Sequence, residues 1–318
     1  MQCSSKIELS ADSSRKEAHS LPDNQLVEVN GRNLSLTNLG KVLWPEDGIT
    51  KAEVIKYYAD FSKYILAFLK NRPLMTRRYP NGILEPYFVQ KHFPHVPDWV
   101  ELFYFKSEHY VLCNDLPTLI WLGNLAAIEI NHMLATSPSV TKHDLILIDL
   151  DPHSPATFND ARIVARGVST VLDKLGLRFL MKTSGADGIH FFIPIERRYS
   201  VERIRRVVYA IGKLIEKADP ELATVSTRAD RKKGHVYVDF LQNGIEKTIT
   251  APLSIRALPK APVSYPITTR QLDTDRLAPR NFTLRKAPRS SPALRQLLQV
   301  GGMAQDLVPV FSRLGIRT

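Results

Sequence analysis

Two aspartates stand two residues apart at the end of an apolar run, in the stretch LILIDLDP at positions 145–152. The run predicts a strand, and successive strand side chains point to opposite faces, so Asp149 and Asp151 project to the same side. A third acid, Asp239, interrupts HVYVDFLQN, which is predicted to be another strand. An acid at such a position is costly unless it is solvated, paired or bound to a metal. Three strand carboxylates suit two Mg²⁺ or Mn²⁺ ions, which hold attacking and leaving oxygens in line during phosphoryl transfer.

An aspartate pair next to a proline also has other interpretations. Asp and Pro are common in ordinary turns, and similar pairs occur in haloacid-dehalogenase-like phosphatases and sugar-nucleotide transferases. Those phosphatases have Thr or Val two residues after the second acid, where this chain has His153 and then Ser154. The transferases would leave the basic charge of the chain unexplained. Metal-dependent phosphoryl transfer therefore ranks above both enzyme classes.

A glycine-rich turn, SGADG at positions 184–188, joins two predicted strands, RFLMKT and IHFFIPI. Its glycines permit the positive φ angles of a tight turn, where backbone N–H groups can meet phosphate. Ser184 lies in this turn and His190 on the strand that follows it. Histidine on an apolar strand is more often a core residue than a site residue, but its place directly after the turn favours a site residue.

The composition indicates a polyanionic partner. The 318 residues include 43 Lys and Arg against 32 Asp and Glu, a net charge of +11, which favours nucleic acid as that partner. Two cysteines cannot form a disulfide framework, and no Cys/His spacing matches a zinc site. No apolar run approaches the ~20 residues of a membrane span, and no signal peptide is recognisable. We expect a soluble cytoplasmic protein.

Hydrophobic patterning predicts an α/β protein with an antiparallel sheet in a split βαβ arrangement. Asn30-Gly31 indicates the turn of a hairpin, and Thr50 with Glu53 indicates the capping box of a long helix. The stretch LPTLIWLGNLAAIEINHML, apolar nearly all round, predicts one buried helix. Further helices are expected over about 157–175 and about 200–217.

The chain is expected to divide into successive parts. Residues 1–24 are polar and form a disordered tail. An N-terminal module is expected over about 25–140, and a catalytic core over about 141–257. The proline-rich remainder, about 258–318, is expected to wrap around the core with one short terminal helix.

The order of the motifs resembles one protein family. DLDP, SGADGIHFFIPI, VYVDFLQN and SIRALPKAPVSYP follow one another as in the polymerase domain of bacterial ligase D and its stand-alone archaeal and bacterial relatives, within the archaeo-eukaryotic primase superfamily. The similarity continues upstream through LTNLGKVLWPEDGITKAEVIKYY, NRPLMTRRYPNG, FVQKH and WLGNLAAIE. It implies a primase-like catalytic core with an antiparallel, RRM-like sheet flanked by helices, and an N-terminal α/β module packed against it.

The resemblance implies roles for the residues of the centre. Asp149, Asp151 and Asp239 match the family's catalytic, metal-binding acids. Ser184 matches a contact to the ribose 2′-hydroxyl of the incoming nucleotide, and His190 matches a contact to its phosphates. Further positions that match the nucleotide site are Arg256, Arg77, Lys232 and Gln242, with Asn243 next to the last of them.

Other matches lie on the DNA side. Lys41 and Lys51 match two lysines that grip the 5′-phosphate at a gap or break, and Phe88 matches an aromatic residue that stacks on the template. Lys51 stands in the first turn of the helix that begins after Thr50, where the helix dipole also favours an anion. Arg228, Arg231, Lys232 and Lys233 add a basic stretch that suits a DNA backbone or is only a charged loop.

The function implied by the resemblance is metal-dependent, template-directed nucleotidyl transfer. The enzyme would add nucleoside triphosphates, preferably ribonucleotides, to a DNA primer 3′-hydroxyl at gaps or broken ends with a 5′-phosphate, during non-homologous end joining near the nucleoid. The chain has no K-x-D-G ligase motif, so Ku and a separate DNA ligase are expected to act in trans, and DNA to bridge a dimer. The alternatives are a primase-polymerase for replication or damage tolerance, and a non-catalytic end-bridging module.

Overall fold

The first elements of the protein form the predicted hairpin. A computed structural model describes residues 24–226, 233–274 and 276–317. Strands β1 (Asn24–Val29) and β2 (Arg32–Thr37) pair antiparallel. Between them Asn30 and Gly31 have positive φ angles of 48° and 75°, as a two-residue turn that matches the strand twist requires.

A second hairpin leads into the long helix. Strands β3 (Val42–Trp44) and β4 (Ile49–Thr50) precede α1 (Lys51–Leu69). The Thr50 side chain accepts a hydrogen bond from Glu53 N, and the Glu53 carboxylate accepts one from Thr50 N. This capping box confirms the predicted start of the helix.

The next part of the chain corrects one prediction. Its elements are β5 (Leu74–Arg78), β6 (Phe88–Gln90), β7 (Leu102–Phe105), β8 (Glu108–Val111), α2 (Leu116–Asn124) and β9 (Ala127–Met133). The single helix predicted over LPTLIWLGNLAAIEINHML is wrong, because the helix ends at Asn124 and a strand follows. All seven residues of β9 are buried, and a strand buried on both faces has no alternating pattern to distinguish it from a buried helix.

The middle of the chain supplies the strand with the aspartate pair. The elements are β10 (Leu145–Pro152), α3 (Phe158–Lys174), β11 (Leu180–Thr183), β12 (Ile189–Pro194), α4 (Val201–Ala218), β13 (Ala223–Thr224) and β14 (Val236–Val238). The helices α3 and α4 and the hairpin of β11 and β12 agree with the sequence pattern.

The C-terminal part contains more helix than predicted. Its elements are β15 (Thr248–Thr250), β16 (Pro266–Ile267), α5 (Thr269–Leu272), α6 (Pro292–Leu297) and α7 (Val308–Arg313). The expectation of one short helix is wrong because helices of four to six residues leave little periodicity. Within the described ranges, no helix is both long and apolar enough to cross a membrane.

The strands form two main sheets. The central sheet has six strands in the order β13-β14-β10-β12-β11-β16, and its neighbours are antiparallel except for β13 and β14, which are parallel. The predicted antiparallel sheet is therefore confirmed apart from one edge. A second sheet has four strands in the order β15-β9-β5-β6.

Strand β10 lies between two hydrophobic cores. Ile146, Ile148 and Leu150 belong to a core shared with α3 and α4. Leu145 and Leu147, on the other face of the strand, belong to a core shared with α1 and with β9 of the four-stranded sheet. Because side chains alternate, Asp149 and Asp151 continue the row of Leu145 and Leu147. The two acids therefore face the side on which the four-stranded sheet packs.

A buried histidine before β10 makes the fold sensitive to acid. His143 is buried, and burial lowers the pKa of its imidazole to about 4. Its pKa in the unfolded chain is close to 6.5, so the unfolded state binds more protons between these values and stability falls as the pH falls through them. We expect His143 to lower the free energy of unfolding by about 3 kcal/mol when the pH falls from 7 to 4.

Urea unfolding at both pH values, for the wild type and His143→Gln, tests this expectation. The variant removes the group that titrates, so its free energy of unfolding should fall by about 3 kcal/mol less than that of the wild type. An equal fall in both proteins would show that His143 does not contribute.

Candidate active site

Two of the three predicted acids lie on β10, in the middle of the central sheet. Asp149 is in register with His190 of β12, and Asp151 is in register with Tyr237 of β14. Asp149 is buried and its Oδ1 lies 3.2 Å from Nε2 of His190, whereas Asp151 is partly exposed. The strand delivers two carboxylates to one face at its carboxyl end.

The third acid lies at the end of a strand and not within it. Strand β14 ends at Val238, and Asp239 caps a 3₁₀ turn over Phe240–Gln242. Its Oδ1 accepts hydrogen bonds from Leu241 N at 2.9 Å and Gln242 N at 3.1 Å, and its own N–H donates to the Asp149 carbonyl oxygen at 2.9 Å. The expected continuous strand is wrong here because an aspartate that bonds its own following backbone ends the strand. Asp239 nevertheless lies beside Asp149.

The donor chemistry of the three acids fits a divalent cation. Carboxylate oxygens are the ligands that Mg²⁺ and Mn²⁺ prefer, and the register puts all three acids at neighbouring ends of β10 and β14. Among the residues that the structure describes, no three His, Cys, Asp or Glu side chains are grouped closely enough to hold one metal ion. The metal assignment therefore rests on donor type and strand register.

The glycine-rich turn is held by Ser184. Its Oγ accepts hydrogen bonds from Ala186 N at 3.1 Å and Gly188 N at 2.9 Å, and its own N–H donates to the Gly188 carbonyl at 2.8 Å. Gly185 has a φ of +77°, which glycine adopts without strain. The N–H groups of Ala186 and Gly188 are thus satisfied within the turn, and the expectation that such groups meet phosphate does not hold for these two.

Gly188 holds the turn against β10. A β-carbon at this position would stand 2.7 Å from the Leu150 carbonyl oxygen, 3.4 Å from Asp151 Oδ1 and 3.6 Å from Ser184 Oγ. The first distance is a clash with backbone, so the hairpin of β11 and β12 approaches β10 closely only because residue 188 has no side chain. Gly188 thereby brings the Ser184 turn next to the Asp151 carboxylate.

Gly188→Ala is expected to lower the free energy of unfolding by about 1–3 kcal/mol, because overpacking displaces backbone. The control is Gly40→Ala, since nothing lies within 4 Å of a β-carbon there. Thermal unfolding of both variants measures the difference. Equal midpoints for the two variants would rule out the close approach.

His190 is connected to a buried lysine. Lys182 Nζ lies 2.7 Å from His190 Nδ1 and 2.6 Å from Ser264 Oγ, and Ser264 Oγ donates to the Thr183 carbonyl at 2.8 Å. Burial holds the pKa of Lys182 well below its usual value, and burial with the nearby charge of Lys182 does the same to the pKa of His190. The lowered pKa favours the neutral imidazole of His190. If Lys182 donates to Nδ1, the ring presents an Nε2–H to Asp149.

Two arginines are held by one buried acid. Glu129 of β9 is buried; its Oε1 accepts from Arg256 Nε at 3.1 Å and from Ala257 N at 3.2 Å, and its Oε2 accepts from Arg77 at 3.2 Å. Arg256 also donates from Nη1 to the Ser184 carbonyl at 2.8 Å. This cluster joins the four-stranded sheet to the glycine-rich turn.

The remaining residues predicted for the nucleotide site differ in position. Gln242 follows Asp239 and donates from Nε2 to the Thr248 carbonyl at 2.8 Å. Asn243 is fully buried and bonds both the N–H and the carbonyl of Leu147, at 2.8 Å and 2.7 Å. Asn243 thus fixes β10 and does not face a ligand. Lys232, together with Arg228 and Arg231, lies outside the described residues.

The two predicted phosphate-binding lysines lie next to each other. Lys51 N donates to the Lys41 carbonyl at 2.9 Å across the base of the β3–β4 hairpin, and we call this place the Lys41–Lys51 corner. Lys51 is buried and its Nζ donates to the Thr37 carbonyl, while Lys41 Nζ donates to Asn81 Oδ1 at 2.9 Å. The corner therefore combines two lysines with the N-terminus of α1.

Phe88 lies apart from the acids, on the edge strand β6. Half of its surface is exposed, and its neighbours Tyr87 and Val89 are exposed to a similar degree. The guanidinium of Arg78 lies 5.6 Å from the centre of the Phe88 ring. An exposed aromatic ring beside an arginine is the type of surface on which a nucleic-acid base stacks.

Most of the chain matches one known protein family. The family model described as the LigD primase-polymerase domain matches residues 50–297. The chain belongs to this family. The family resemblance drawn from DLDP, SGADGIHFFIPI and the neighbouring motifs is therefore confirmed.

Relatives of the LigD polymerase domain agree in sequence and fold. The chain is 33% identical over 253 residues to the bifunctional non-homologous end joining protein LigD of Bacillus subtilis, covering 79% of this chain and 41% of that protein. It is 28% identical over 279 residues to the multifunctional non-homologous end joining DNA repair protein LigD of Mycobacterium tuberculosis, covering 84% of this chain and 34% of that protein. The chain thus spans less than half of these relatives.

A solved structure confirms the α/β fold. It is the polymerase domain from Mycobacterium tuberculosis ligase D in complex with DNA, with a TM-score of 0.74 and 26% sequence identity. The match covers 88% of this chain and 97% of the solved one. The mixed α/β architecture predicted from the sequence is therefore that of a LigD polymerase domain.

The structure adds Lys182, Ser264 and Glu129 to the site of this LigD-family domain. Two of them carried a recognisable signal. Lys182 stands in the apolar strand RFLMKT, two residues before Ser184 and therefore on the same face. Glu129 is the one acid in LAAIEINHML. A charge in a buried strand needs a partner, and Ser264 had no such signal because its partners are distant in sequence.

Proposed function

We propose that this chain is a metal-dependent, template-directed nucleotidyltransferase that extends a DNA primer 3′-hydroxyl at gaps or broken ends during non-homologous end joining. The observation that carries the proposal is the juxtaposition of Asp149, Asp151 and Asp239 at neighbouring strand ends, with His190 beside Asp149 and Arg256 bonded to the Ser184 turn. Membership of the LigD primase-polymerase family supports it.

The acids would hold two Mg²⁺ or Mn²⁺ ions. Such ions, when bound, activate the attacking hydroxyl and neutralise charge on the triphosphate. The chain's own contribution is to fix the carboxylates: the pairing of β10 with β12 and β14 sets their spacing, and Asn243 clamps β10 at Leu147. A rigid strand end needs little rearrangement when the substrates arrive.

The cations beside the acids would bind the triphosphate. Glu129 holds Arg256 and Arg77 in place, and the lowered pKa of His190 keeps its imidazole neutral. A neutral ring whose Nδ1 accepts from Lys182 can donate from Nε2 to a phosphate oxygen or to Asp149. Gln242, next to Asp239, would complete this side of the site.

Ser184 would distinguish ribonucleotides from deoxyribonucleotides. Its Oγ accepts two backbone hydrogen bonds, which leaves its hydroxyl proton as a donor for the 2′-oxygen of a ribonucleotide. One such hydrogen bond is worth about 1 kcal/mol, so we expect ribonucleotides to be preferred by roughly three- to tenfold. Equal incorporation of ribonucleotides and deoxyribonucleotides would contradict this role of Ser184.

The Lys41–Lys51 corner would bind the 5′-phosphate of the downstream strand, and Phe88 would stack on the template. A charge-assisted contact contributes about 1.5–3 kcal/mol, so removing the phosphate should weaken use of a gapped substrate by about 10- to 100-fold. Ku and a DNA ligase acting in trans, and a dimer bridged by DNA, belong to the same proposal.

The test is extension of a labelled primer on gapped duplexes that differ only in a 5′-phosphate or a 5′-hydroxyl at the gap. The proposal predicts templated extension that is stronger with the phosphate. Extension that is indifferent to the phosphate, together with synthesis of primers de novo, would indicate a primase-polymerase instead. Phosphate-dependent binding without extension would indicate a non-catalytic bridging module.

A further inference from the structure

A basic cleft lies at the turn end of the β3–β4 hairpin, apart from the residues proposed above. Its volume is about 440 Å³, and four of the residues that line it are cationic: Lys260, Arg280, Arg285 and Lys286. The only carboxylate among its lining residues is Asp47. The segment from Arg276 to Arg289 contains no acid at all. We call this the 260–286 cleft.

Arg285 forms hydrogen bonds that connect the two sides of the cleft. Its guanidinium bonds Glu53 at 2.8 Å and 3.1 Å, the Asp47 carbonyl at 3.0 Å and the Gly48 carbonyl at 3.3 Å. Glu53 belongs to the capping box of α1. Arg285 therefore fastens the C-terminal segment to the hairpin turn and to the first turn of α1, and it is a structural cation.

The other three cations of the cleft are not neutralised. Lys260, Arg280 and Lys286 are exposed, and within the described ranges none of them forms an ion pair with a carboxylate. The acid among the lining residues, Asp47, accepts through Oδ2 from the backbone N–H of Lys260 at 2.6 Å. Three unpaired cations around one concave surface form a binding site for an anion.

The backbone that carries these cations is fixed before any ligand arrives. Lys260 and Ala261 both have positive φ angles, 67° and 49°, a conformation that persists only where surrounding contacts impose it. Here Trp44 Nε1 donates to the Leu258 carbonyl at 2.8 Å and Asp47 holds Lys260 N. The strained turn is thus locked so that Lys260 lines the cleft.

The cleft and the Lys41–Lys51 corner lie at opposite ends of one short hairpin. Strands β3 and β4 contain three and two residues, and at about 3.3 Å per residue the two ends are roughly 10 Å apart. Neighbouring phosphates of one DNA strand follow a helical path and lie farther apart than the ~3.4 Å axial rise per nucleotide, so this separation corresponds to about one or two nucleotides. The spacing suits successive phosphates of one strand.

We propose that the 260–286 cleft binds a backbone phosphate of the DNA strand whose 5′ end lies at the Lys41–Lys51 corner. This inference rests on the proposed function for the identity of that strand. Phosphate contacts of this kind position the duplex without reading its sequence. The cleft would add a second phosphate contact to the downstream duplex, beyond the contact to its terminal phosphate.

The test compares two triple variants that remove the same charge. One is Lys260→Gln, Arg280→Gln and Lys286→Gln; the control is Lys142→Gln, Lys174→Gln and Lys217→Gln, exposed lysines from other parts of the chain. The dissociation constant for a labelled gapped duplex with a 5′-phosphate is measured over a range of salt concentrations, without nucleotide. Two downstream strands of about ten nucleotides are compared, one natural and one whose linkages after the 5′-phosphate are uncharged methylphosphonates.

The cleft variant should bind the duplex with the natural downstream strand about 10- to 100-fold more weakly than the control does, with a slope of log K against log salt smaller by about one per lost contact. It should bind the duplex with the methylphosphonate strand as the control does. Binding by the cleft variant equal to that of the control on both strands would overturn the proposal. So would a loss confined to nucleoside triphosphate binding, which would make the cleft a nucleotide site.

Failure of this inference is distinguishable from failure of the proposed function. The binding assay contains no nucleotide, so a chain that cannot extend primers can still show the difference between the two variants. A chain that extends primers can equally fail to show it. The thermal unfolding midpoints of both triple variants should match that of the wild type, because all six side chains are exposed.

Discussion

Asp149→Asn is expected to reduce primer extension by about 10³-fold or more, because it replaces a charged metal ligand with a neutral amide of the same size. A bound divalent cation contributes several kcal/mol to the transition state of phosphoryl transfer, and each 1.36 kcal/mol is tenfold in rate. The fold should survive, since Asn fills the same space and a buried amide costs less than a buried carboxylate. The measurement is the single-turnover rate at saturating primer and nucleotide.

The control for Asp149 is Asp173→Asn, which makes the same chemical change at an exposed position on α3. Its rate should equal that of the wild type. If Asp149→Asn retained more than about a tenth of the wild-type rate, the acid pair of β10 would not be the catalytic centre.

Glu129→Gln is expected to affect both stability and nucleotide binding, because one carboxylate holds Arg256, Arg77 and the Ala257 N–H. Removing one partner of a buried ion pair leaves the other charge uncompensated. This lowers the free energy of unfolding by about 3–5 kcal/mol. The amide places an NH₂ group against one of the two arginines, so their positions should shift. We expect the KM for nucleotide to rise by about tenfold or more, since 1.4 kcal/mol of lost binding has that effect.

Comparing the KM for nucleotide with the unfolding midpoint tests whether Glu129 acts through the arginines. A residue that only stabilises the fold would lower the unfolding midpoint and leave the KM for nucleotide unchanged at temperatures well below that midpoint. Glu221→Gln, at an exposed position, is the matched control and should change neither quantity. An unchanged KM in Glu129→Gln would separate the arginine cluster from nucleotide binding.

Local signals in the sequence predicted much of the fold. The capping box of Thr50 and Glu53, the Asn30-Gly31 turn and the strand LILIDLDP each depend on residues close together in the chain. The structure bears out all three. Such features are set by backbone sterics and by hydrogen bonds within a few residues, so the sequence contains the whole cause.

Features that depend on distant partners could not be predicted in this way. Strand β9 was predicted as part of a helix because its pairing with β5 and β15 is what makes it a strand. The role of Asn243 became clear only from its bonds to Leu147, 96 residues away. Lys182 and Ser264 meet across 82 residues. In each case the partner is supplied by tertiary packing.

The positions of the site residues also divide into those that the local sequence predicts and those that depend on distant partners. The alternation of a strand is enough to put Asp149 and Asp151 on one face, and the structure places them so. Asp239 lies beside Asp149, but it is not part of the continuous strand that its sequence predicts, because capping of the following turn competes with the strand. For residues such as Lys41 and Phe88, whose local sequence is ordinary, the expected roles come from the family resemblance alone.

The most direct measurement is extension of a primer by one nucleotide opposite each of the four template bases, with Mg²⁺ or Mn²⁺ and with a chelator. We predict that the complementary nucleotide is added in each case, that the chelator abolishes addition, and that Asp149→Asn fails with either metal. Addition that ignores the template base or persists with the chelator would contradict metal-dependent, templated nucleotidyl transfer by this chain.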